Sequence, residues 1–338
     1  MSIVASKTDS VRTTPATWQA ILKSAIRDSG ELLRQLGLDD SELVGSACES
    51  DFPTFVTTPW LQRIKPGDPK DPLLLQVLPQ AAEALSLEGF GKDAVGDQAA
   101  TKANGLLHKY HGRALLIASG TCAVHCRYCF RRHYPYSEAP VSIKEFDRVL
   151  QVVREDQGIS EMILSGGDPL MMVDRRLADL IGLIEDIPHV RRLRIHTRLP
   201  ILIPQRVTEC FLAMLTQSRL THVVVLHINH PKEIDADVRE AVLKIANAGG
   251  LLLNQSVLLK GVNDCLDTLL ELSEKLIELR CQPYYLHQLD RVQGVAHFEV
   301  TEEVGRHLIQ QMRHRLPGYA VPRYVREIPG EPSKTIIL

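Results

Sequence analysis

Three cysteines lie within eight residues of the segment GTCAVHCRYCFRRHYPY. Cys122 and Cys126 are four residues apart, and Cys129 follows three residues later. Thiolates this close together favour a soft metal ion or an iron–sulfur cluster. A structural zinc usually takes four protein ligands, and His125 or His133 is near enough in sequence to be the fourth. The segment therefore predicts either a zinc site or an iron–sulfur cluster that keeps one iron open.

The spacing CxxxCxxC, with the aromatic Tyr128 just before the last cysteine, resembles the signature of the radical S-adenosylmethionine superfamily. That resemblance implies a 4Fe-4S cluster on Cys122, Cys126 and Cys129. Its open iron would chelate the amino and carboxylate groups of S-adenosylmethionine. Tyr128 is then expected to pack on the adenine.

A second motif, SGGDPL, ends the next apolar segment and contains Gly166, Gly167 and Asp168. Two glycines in a row allow the backbone to come close to a ligand. The motif resembles the superfamily's glycine motif, which holds the methionine amino group, so these residues are expected at the same cofactor as the cysteines.

Short apolar segments alternate with amphipathic helical ones from residue 113 onward. This alternation predicts βα units and a parallel α/β sheet, most simply a partial (β/α)6 barrel. The resemblance to the superfamily implies that the barrel is of the radical SAM type. The cysteines follow the first strand, where such a barrel places its chemistry. The predicted strands are RALLIAS (113–119), EMILSG (161–166), RLRIHT (192–197), HVVVLHI (222–228), LLLNQSVLL (251–259) and PYYLHQL (283–289).

The sequence on either side of this region lacks the alternation of short apolar and amphipathic segments. Residues 1–60 are polar and helical, with Trp18, Ile21, Leu22 and Ile26 at helical spacing. Loop-rich sequence follows to about residue 107. We therefore predict an N-terminal helical and loop-rich region (1–107), the barrel (108–300) and a short C-terminal segment (301–338).

Composition excludes several classes of protein. The 338 residues are 44% hydrophobic and 24% charged, with a net charge of −2, and no basic excess marks a nucleic-acid surface. No run approaches the roughly 18 apolar residues of a membrane span, and the N-terminus lacks the apolar core of a signal peptide. We expect a cytoplasmic protein that binds neither nucleic acid nor membrane.

Long motifs along the chain resemble the lysine 2,3-aminomutase family. The resemblance is strongest to the short bacterial branch that makes (R)-β-lysine for elongation factor P. It implies an isomerase that acts through a 5′-deoxyadenosyl radical and pyridoxal 5′-phosphate. The matching segments are HKYHGRALL, CRYCFRR, ILSGGDPL, HTRLPILIPQR, HINHP, NQSVLLKGVND, PYYLHQLD, RVQGVAHF and REIPGEPSKT.

The resemblance assigns pyridoxal phosphate to two residues. Lys334, in GEPSKT, matches the Schiff-base lysine, and the Gly/Pro-rich sequence before it suits a loop that swings the amine inward. Arg113 matches an arginine at the cofactor phosphate. Without the resemblance, both would be taken as solvated surface residues.

The resemblance also assigns a site for L-lysine. Arg131 matches the arginine that binds the substrate carboxylate, a task suited to a bidentate guanidinium. Asp290 and Glu327 match the two acids that bind the ε-ammonium, although the family more often has Asp at the second position. The glutamate-specific relative replaces these acids, so their presence favours lysine.

Polar residues of two predicted strands match the family's nucleotide and cofactor site. His227 and Gln255 are the stronger candidates and Asn254 the weaker one. Each, taken alone, is more typical of an ordinary buried polar group on a strand.

Longer members of the family bind a structural zinc between subunits. Cys265 matches one ligand, but no cysteine follows Cys281, and a lone cysteine cannot form that site. We expect no zinc, and a homo-oligomer is possible without being implied. The expected functional partners are a flavodoxin or ferredoxin as electron donor, and elongation factor P with its lysyl-tRNA-synthetase-like ligase.

Two alternatives stay open from the residues. In the first alternative, the radical chemistry serves another amino acid, such as glutamate, alanine or arginine. A zinc-binding interaction protein would use the cysteines structurally. Such a protein would be colourless and contain zinc, whereas a radical enzyme would be brown and contain about four irons per chain.

Overall fold

A ten-stranded sheet forms the centre of the computed structural model, which describes residues 17–38 and 52–338. The strands follow one another across the sheet in chain order. They are β1 (Thr101–Ala103), β2 (Leu106–Tyr110), β3 (Arg113–Ser119), β4 (Glu161–Gly166), β5 (Arg192–Thr197), β6 (Thr221–His227), β7 (Leu251–Val257), β8 (Gln282–His287), β9 (Arg323–Arg326) and β10 (Thr335–Ile336). Neighbours from β3 to β9 pair in parallel, whereas β1, β2 and β10 add antiparallel pairs at the two edges.

Helices connect the parallel strands and cover the sheet. The α-helices of the described chain are α1 (Trp18–Lys23), α2 (Ser29–Gln35), α3 (Thr58–Leu61), α4 (Pro72–Leu75), α5 (Ile143–Glu155), α6 (Asp174–Glu185), α7 (Leu199–Leu202), α8 (Glu209–Gln217), α9 (Ala236–Asn247), α10 (Leu266–Glu278) and α11 (Glu302–Arg315). In α5, Phe146, Leu150 and Val153 are buried at helical spacing, and Ser142 and Glu145 form a capping box at its start.

The predicted partial barrel with an N-terminal helical extension is confirmed. All six predicted strands are present, and their ends differ from the prediction by at most two residues. A seventh parallel strand, β9, was missed because its four residues, RYVR, begin and end with arginine and show no apolar run. The sequence predicted loop as far as residue 107, which is wrong for β1 and the start of β2.

The first predicted helix is two helices in the structure. Ile26 leaves the helical pattern and forms a bridge with Val56. Asp28 then caps the N-terminus of α2, because its carboxylate accepts a hydrogen bond from Glu31 N at 2.7 Å. The N-terminal residues still pack on the sheet, because Trp18, Leu32 and Trp60 share one hydrophobic core with the strands. The three-part division of the chain stays a prediction from the sequence.

Two helical glycines differ in what surrounds them. A Cβ at Gly305 of α11 would overlap the phenol ring of Tyr324, whereas no atom lies within 4 Å of a Cβ at Gly182 of α6. We expect Gly305→Ala to cost about 1–3 kcal/mol through overpacking. Gly182→Ala should gain up to about 1 kcal/mol from helix propensity. Thermal unfolding of both variants measures these changes in stability. Equal shifts in melting temperature would contradict the close contact between Gly305 and Tyr324.

Candidate active site

A cavity of about 320 Å³ lies along the carboxyl ends of the parallel strands. It brings together fourteen of the site residues that the sequence predicted, but not the weaker candidate Asn254. These are Cys122, Cys126, Tyr128, Cys129, Arg131, Arg113, Gly166, Gly167, Asp168, His227, Gln255, Asp290, Glu327 and Lys334. Residues more than 200 positions apart therefore face one space, while the role of each stays a prediction.

The cysteine loop follows β3 and is tightly folded. Cys129 N donates to Cys126 O at 2.9 Å. Burial, together with the neighbouring thiols, raises the pKa of Cys122 well above its ordinary value. The same causes raise the pKa of Cys129 to about 11. These sites become thiolates when a metal centre supplies positive charge, so their chemistry fits a metal cluster.

In the described residues, no three His, Cys, Asp or Glu side chains converge on one point. A 4Fe-4S cluster takes its thiolates on different irons, so it does not require the three cysteines to meet at one atom.

Gly166 and Gly167 let the loop after β4 pack against the cysteine loop. Gly166 has a φ of +116°, and a Cβ there would lie 2.5 Å from Ser119 O. A Cβ on Gly167 would lie 2.8 Å from Thr121 N. The sequence attributed these glycines to contact with a ligand. The structure gives a second reason, which is contact between two segments of the chain's own backbone.

Asp168 has a local structural task. Its carboxylate accepts hydrogen bonds from Thr197 Oγ1 at 2.8 Å and from the backbone N–H groups of Arg198, Leu199 and Leu170 at 2.7, 3.0 and 2.9 Å. The side chain therefore joins the loops after β4 and β5.

Arg198 is a site residue that the sequence reasoning missed. Its guanidinium donates to Cys126 Sγ at 2.8 Å and to Tyr128 Oη at 2.6 Å, and it pairs with Glu233 at 3.0 Å. The available signal was its place in the HTRLPILIPQR segment. A buried cation thus lies beside one cluster cysteine and the predicted adenine-binding tyrosine.

Tyr128 and His227 form a stacked pair in the same part of the cavity. Their ring centroids are 5.6 Å apart with an interplanar angle of 14°, and Tyr128 Oη lies 2.9 Å from His227 Nε2. Burial lowers the pKa of His227 well below its ordinary value, so the imidazole is neutral. Gln255 lines the cavity nearby, but Asn254 does not, because its amide is bonded to the backbone of Ile228.

A chain of ion pairs crosses the other half of the cavity. Arg131 Nε lies 2.7 Å from Asp97 Oδ2, and Asp97 Oδ1 lies 2.6 Å from Lys109 Nζ. Lys109 Nζ also lies 2.9 Å from Glu327 Oε1, and Glu327 pairs in turn with Lys334. Asp97 and Lys109 were not predicted. Lys109 lies in the family segment HKYHGRALL, whereas Asp97 had no signal in its loop-rich surroundings.

The two predicted substrate acids differ in electrostatic state. Burial raises the pKa of Asp290 to about 7, although the nearby Lys334 opposes this shift. Burial would also raise the pKa of Glu327, but Lys334 and Lys109 outweigh it and lower the pKa to about 2. Near pH 7, the Glu327 carboxylate is therefore ionised, whereas the Asp290 carboxyl is protonated in a large fraction of the molecules.

The cavity suits an anionic, aromatic cofactor beside Lys334. Within the described residues Arg113 has no carboxylate partner, and its guanidinium lies 4.9 Å from the ring centroid of Tyr110. Two histidines on the cavity wall, His196 and His287, each bury an Nε2 atom that has no hydrogen-bond partner in the described chain. An unpaired arginine and two unsatisfied imidazoles fit a phosphorylated ring with polar substituents.

The fold and the cysteine loop define a radical S-adenosylmethionine enzyme. The model of the Radical SAM superfamily matches residues 116–273, and membership implies a 4Fe-4S cluster and S-adenosylmethionine.

Full-length relatives identify the family. An L-lysine 2,3-aminomutase of Haemophilus influenzae is 46% identical over 320 residues, covering 94% of this chain and 95% of the relative. One of Escherichia coli K12 is 45% identical over 320 residues, covering 94% and 93%, and one of Clostridium subterminale is 34% identical over 325 residues, covering 95% and 77%. This chain belongs to the L-lysine 2,3-aminomutase family and is a radical isomerase. Among the described helices, none is long and apolar enough to span a membrane.

Gly167→Ala tests the contact between the glycine turn and the cysteine loop. The added methyl must displace Thr121, at a cost of about 1–3 kcal/mol, and this disturbs the loop between Cys122 and Cys126. We expect less iron and sulfide per chain after anaerobic reconstitution. Gly182→Ala is the matched control, and equal iron content in the two variants would refute this role of the turn.

Asp290→Asn tests the electrostatics of the predicted ammonium site. Between about pH 4 and 7 the folded chain keeps a proton on Asp290 that the unfolded chain has lost, so this carboxyl costs stability as pH rises through that window. The variant should gain stability relative to wild type by roughly 2–3 kcal/mol from pH 5 to 8, at about 1.4 kcal/mol per pKa unit. Thermal unfolding at both pH values measures this. The exposed Asp179→Asn should differ from wild type in stability by the same amount at both pH values. The same behaviour in Asp290→Asn would argue against the raised pKa of Asp290.

Proposed function

We propose that this chain is an L-lysine 2,3-aminomutase that converts L-α-lysine to (R)-β-lysine. One observation carries the substrate assignment. The ammonium of Lys334 pairs with Glu327 next to Asp290, so this end of the cavity already accommodates a lysine ammonium. The full-length relatives named L-lysine 2,3-aminomutase support the same reading.

Each cofactor has a set of residues to hold it in this proposal. The three cysteines would hold the 4Fe-4S cluster, and Tyr128 and the glycine turn would hold S-adenosylmethionine. Lys334 would hold pyridoxal phosphate, and Arg113 would bind its phosphate. When bound, the cluster and S-adenosylmethionine supply a hydrogen-abstracting radical, and pyridoxal phosphate supplies a ring that permits nitrogen to migrate between neighbouring carbons.

The chain's charged residues orient the substrate at its two ends. The Nε–H of Arg131 donates a hydrogen bond to Asp97, and an Nη1–H donates one to Ser165 Oγ at 3.1 Å. The remaining guanidinium hydrogens are available for a substrate carboxylate. At the other end, the Glu327 carboxylate, which here pairs with the Lys334 ammonium, would accept a hydrogen bond from the substrate ammonium once Lys334 moves away. Asp290 gives up its proton as that cation arrives, because an opposite charge lowers a carboxyl pKa.

Apolar walls separate the two charged ends. Leu107, Ile163, Val257 and Leu289 line the cavity between polar groups. They pack on the methylenes of a lysine-sized ligand and exclude water from the reacting carbons. A reactive radical benefits from this exclusion, since water and proton leakage are sources of side reactions.

The pathway and partners are part of the proposal. The sequence segments RVQGVAHF and REIPGEPSKT support the branch that serves elongation factor P, so the product would pass to a lysyl-tRNA-synthetase-like ligase in the cytoplasm. A flavodoxin or ferredoxin is the proposed electron donor. No feature described above requires a homo-oligomer.

Anaerobic turnover tests the proposal. Enzyme loaded with iron, sulfide and pyridoxal phosphate should convert L-lysine to (R)-β-lysine when S-adenosylmethionine and a reductant are added, as read by chiral chromatography. Omitting pyridoxal phosphate should abolish product. Coupled to the ligase, the product should add the mass of β-lysine to elongation factor P.

Variants and competing substrates decide the assignment. Asp290→Asn should lower kcat/KM for lysine by more than about tenfold, since a buried charge loses its partner, whereas the exposed Asp179→Asn should leave it unchanged. Rearrangement of glutamate, alanine or arginine by fully loaded enzyme, with lysine untouched, would disprove the lysine assignment.

A further inference from the structure

Lys109 of β2 holds its ammonium between two carboxylates inside the cavity. Its Nζ lies 2.6 Å from Asp97 Oδ1 and 2.9 Å from Glu327 Oε1. It donates hydrogen bonds to Glu327 Oε1 and, at 2.8 Å, to Val95 O. The side chain is 18% exposed, so it serves as an internal counter-ion for both acids.

The two carboxylates on Lys109 belong to opposite ends of the proposed substrate site. Asp97 holds Arg131, the proposed partner of the substrate carboxylate, at 2.7 Å. Glu327 is a proposed partner of the substrate ammonium. Within the described part of the chain, Lys109 therefore joins both ends of the site through direct ion pairs.

Charge balance gives Lys109 a second effect. Asp290 and Glu327 together carry two negative charges when both are ionised, but a lysine side chain brings one positive charge. Lys109 supplies a second positive charge, which it shares between Glu327 and Asp97. Buried ions without partners are costly, so Lys109 lets two acids face a single ammonium.

We propose that Lys109 is a positioning residue that fixes the distance between the carboxylate and ammonium ends of the site, and so selects diamino acids of lysine length. This inference rests on the proposed function. A shorter diamino acid such as L-ornithine cannot reach both ends while Lys109 holds them apart. When Lys109 is lost, Glu327 and Asp97 are free to move, and discrimination by length declines.

The test compares lysine and ornithine on loaded, anaerobic enzyme. Lys109→Gln should raise KM for lysine more than about tenfold, as expected when a buried ion pair is broken, and should reduce the lysine-to-ornithine ratio of kcat/KM. Lys109→Arg, whose guanidinium can still bridge two carboxylates, should keep the KM for lysine and the lysine-to-ornithine ratio within about threefold of wild type. Lys244→Gln, on an exposed ion pair of α9, is the matched control.

A purely structural role predicts another pattern. It would lower kcat/KM for both substrates equally and reduce iron content, leaving their ratio at the wild-type value, and that result would overturn the inference. If Lys109→Gln does not fold, Asp97→Asn breaks the same link, and an unchanged ratio there also overturns it. Wild-type enzyme that fails to rearrange lysine refutes the proposed function itself, whereas active wild type with unchanged variants refutes only the role of Lys109.

Discussion

Burial of charge in this cavity depends on pairing between segments that are remote in sequence. Asp97 keeps only 3% of its side chain exposed and contacts two cations, Arg131 and Lys109. An unpaired ion at such depth costs several kcal/mol. The segments that carry these residues must therefore meet, and Lys109 contacts its second carboxylate in Glu327, 218 residues further along the chain. The position of each end of the cavity follows from this pairing.

The same constraint accounts for the N-terminal extension. Glu83 pairs with Arg127 and Arg132 of the cysteine loop, and Gln76 accepts a hydrogen bond from Arg198 at 2.7 Å. These partners come from outside the parallel strands. A sheet with only its connecting helices would leave the arginines around the cysteines without these partners. The extension thus supports the cysteine loop electrostatically as well as through the shared core.

Arg131 connects the two halves of the cavity. It lies two residues after Cys129, so the backbone ties the proposed cluster to the proposed substrate carboxylate over a very short distance. From Arg131 the ion pairs continue to the far end of the cavity. Radical chemistry requires the hydrogen donor to be held close to the reacting group, and a covalent link followed by buried ion pairs provides this rigidity.

The sequence by itself determined six of the seven parallel strands, the fold class and the residues with motif signals. These features are local, because strand patterns and motifs such as CxxxCxxC or SGGDPL occupy a few neighbouring residues. Tertiary structure alone decided that Asp97, Lys109 and Arg198 join the site, because ion pairs between distant loops leave no local pattern. It also decided the seventh parallel strand, whose four residues have too little apolar character to be recognised. The glycines after β4 combine both kinds of information: the motif predicted them, but only packing against Ser119 and Thr121 explained why a side chain cannot be present.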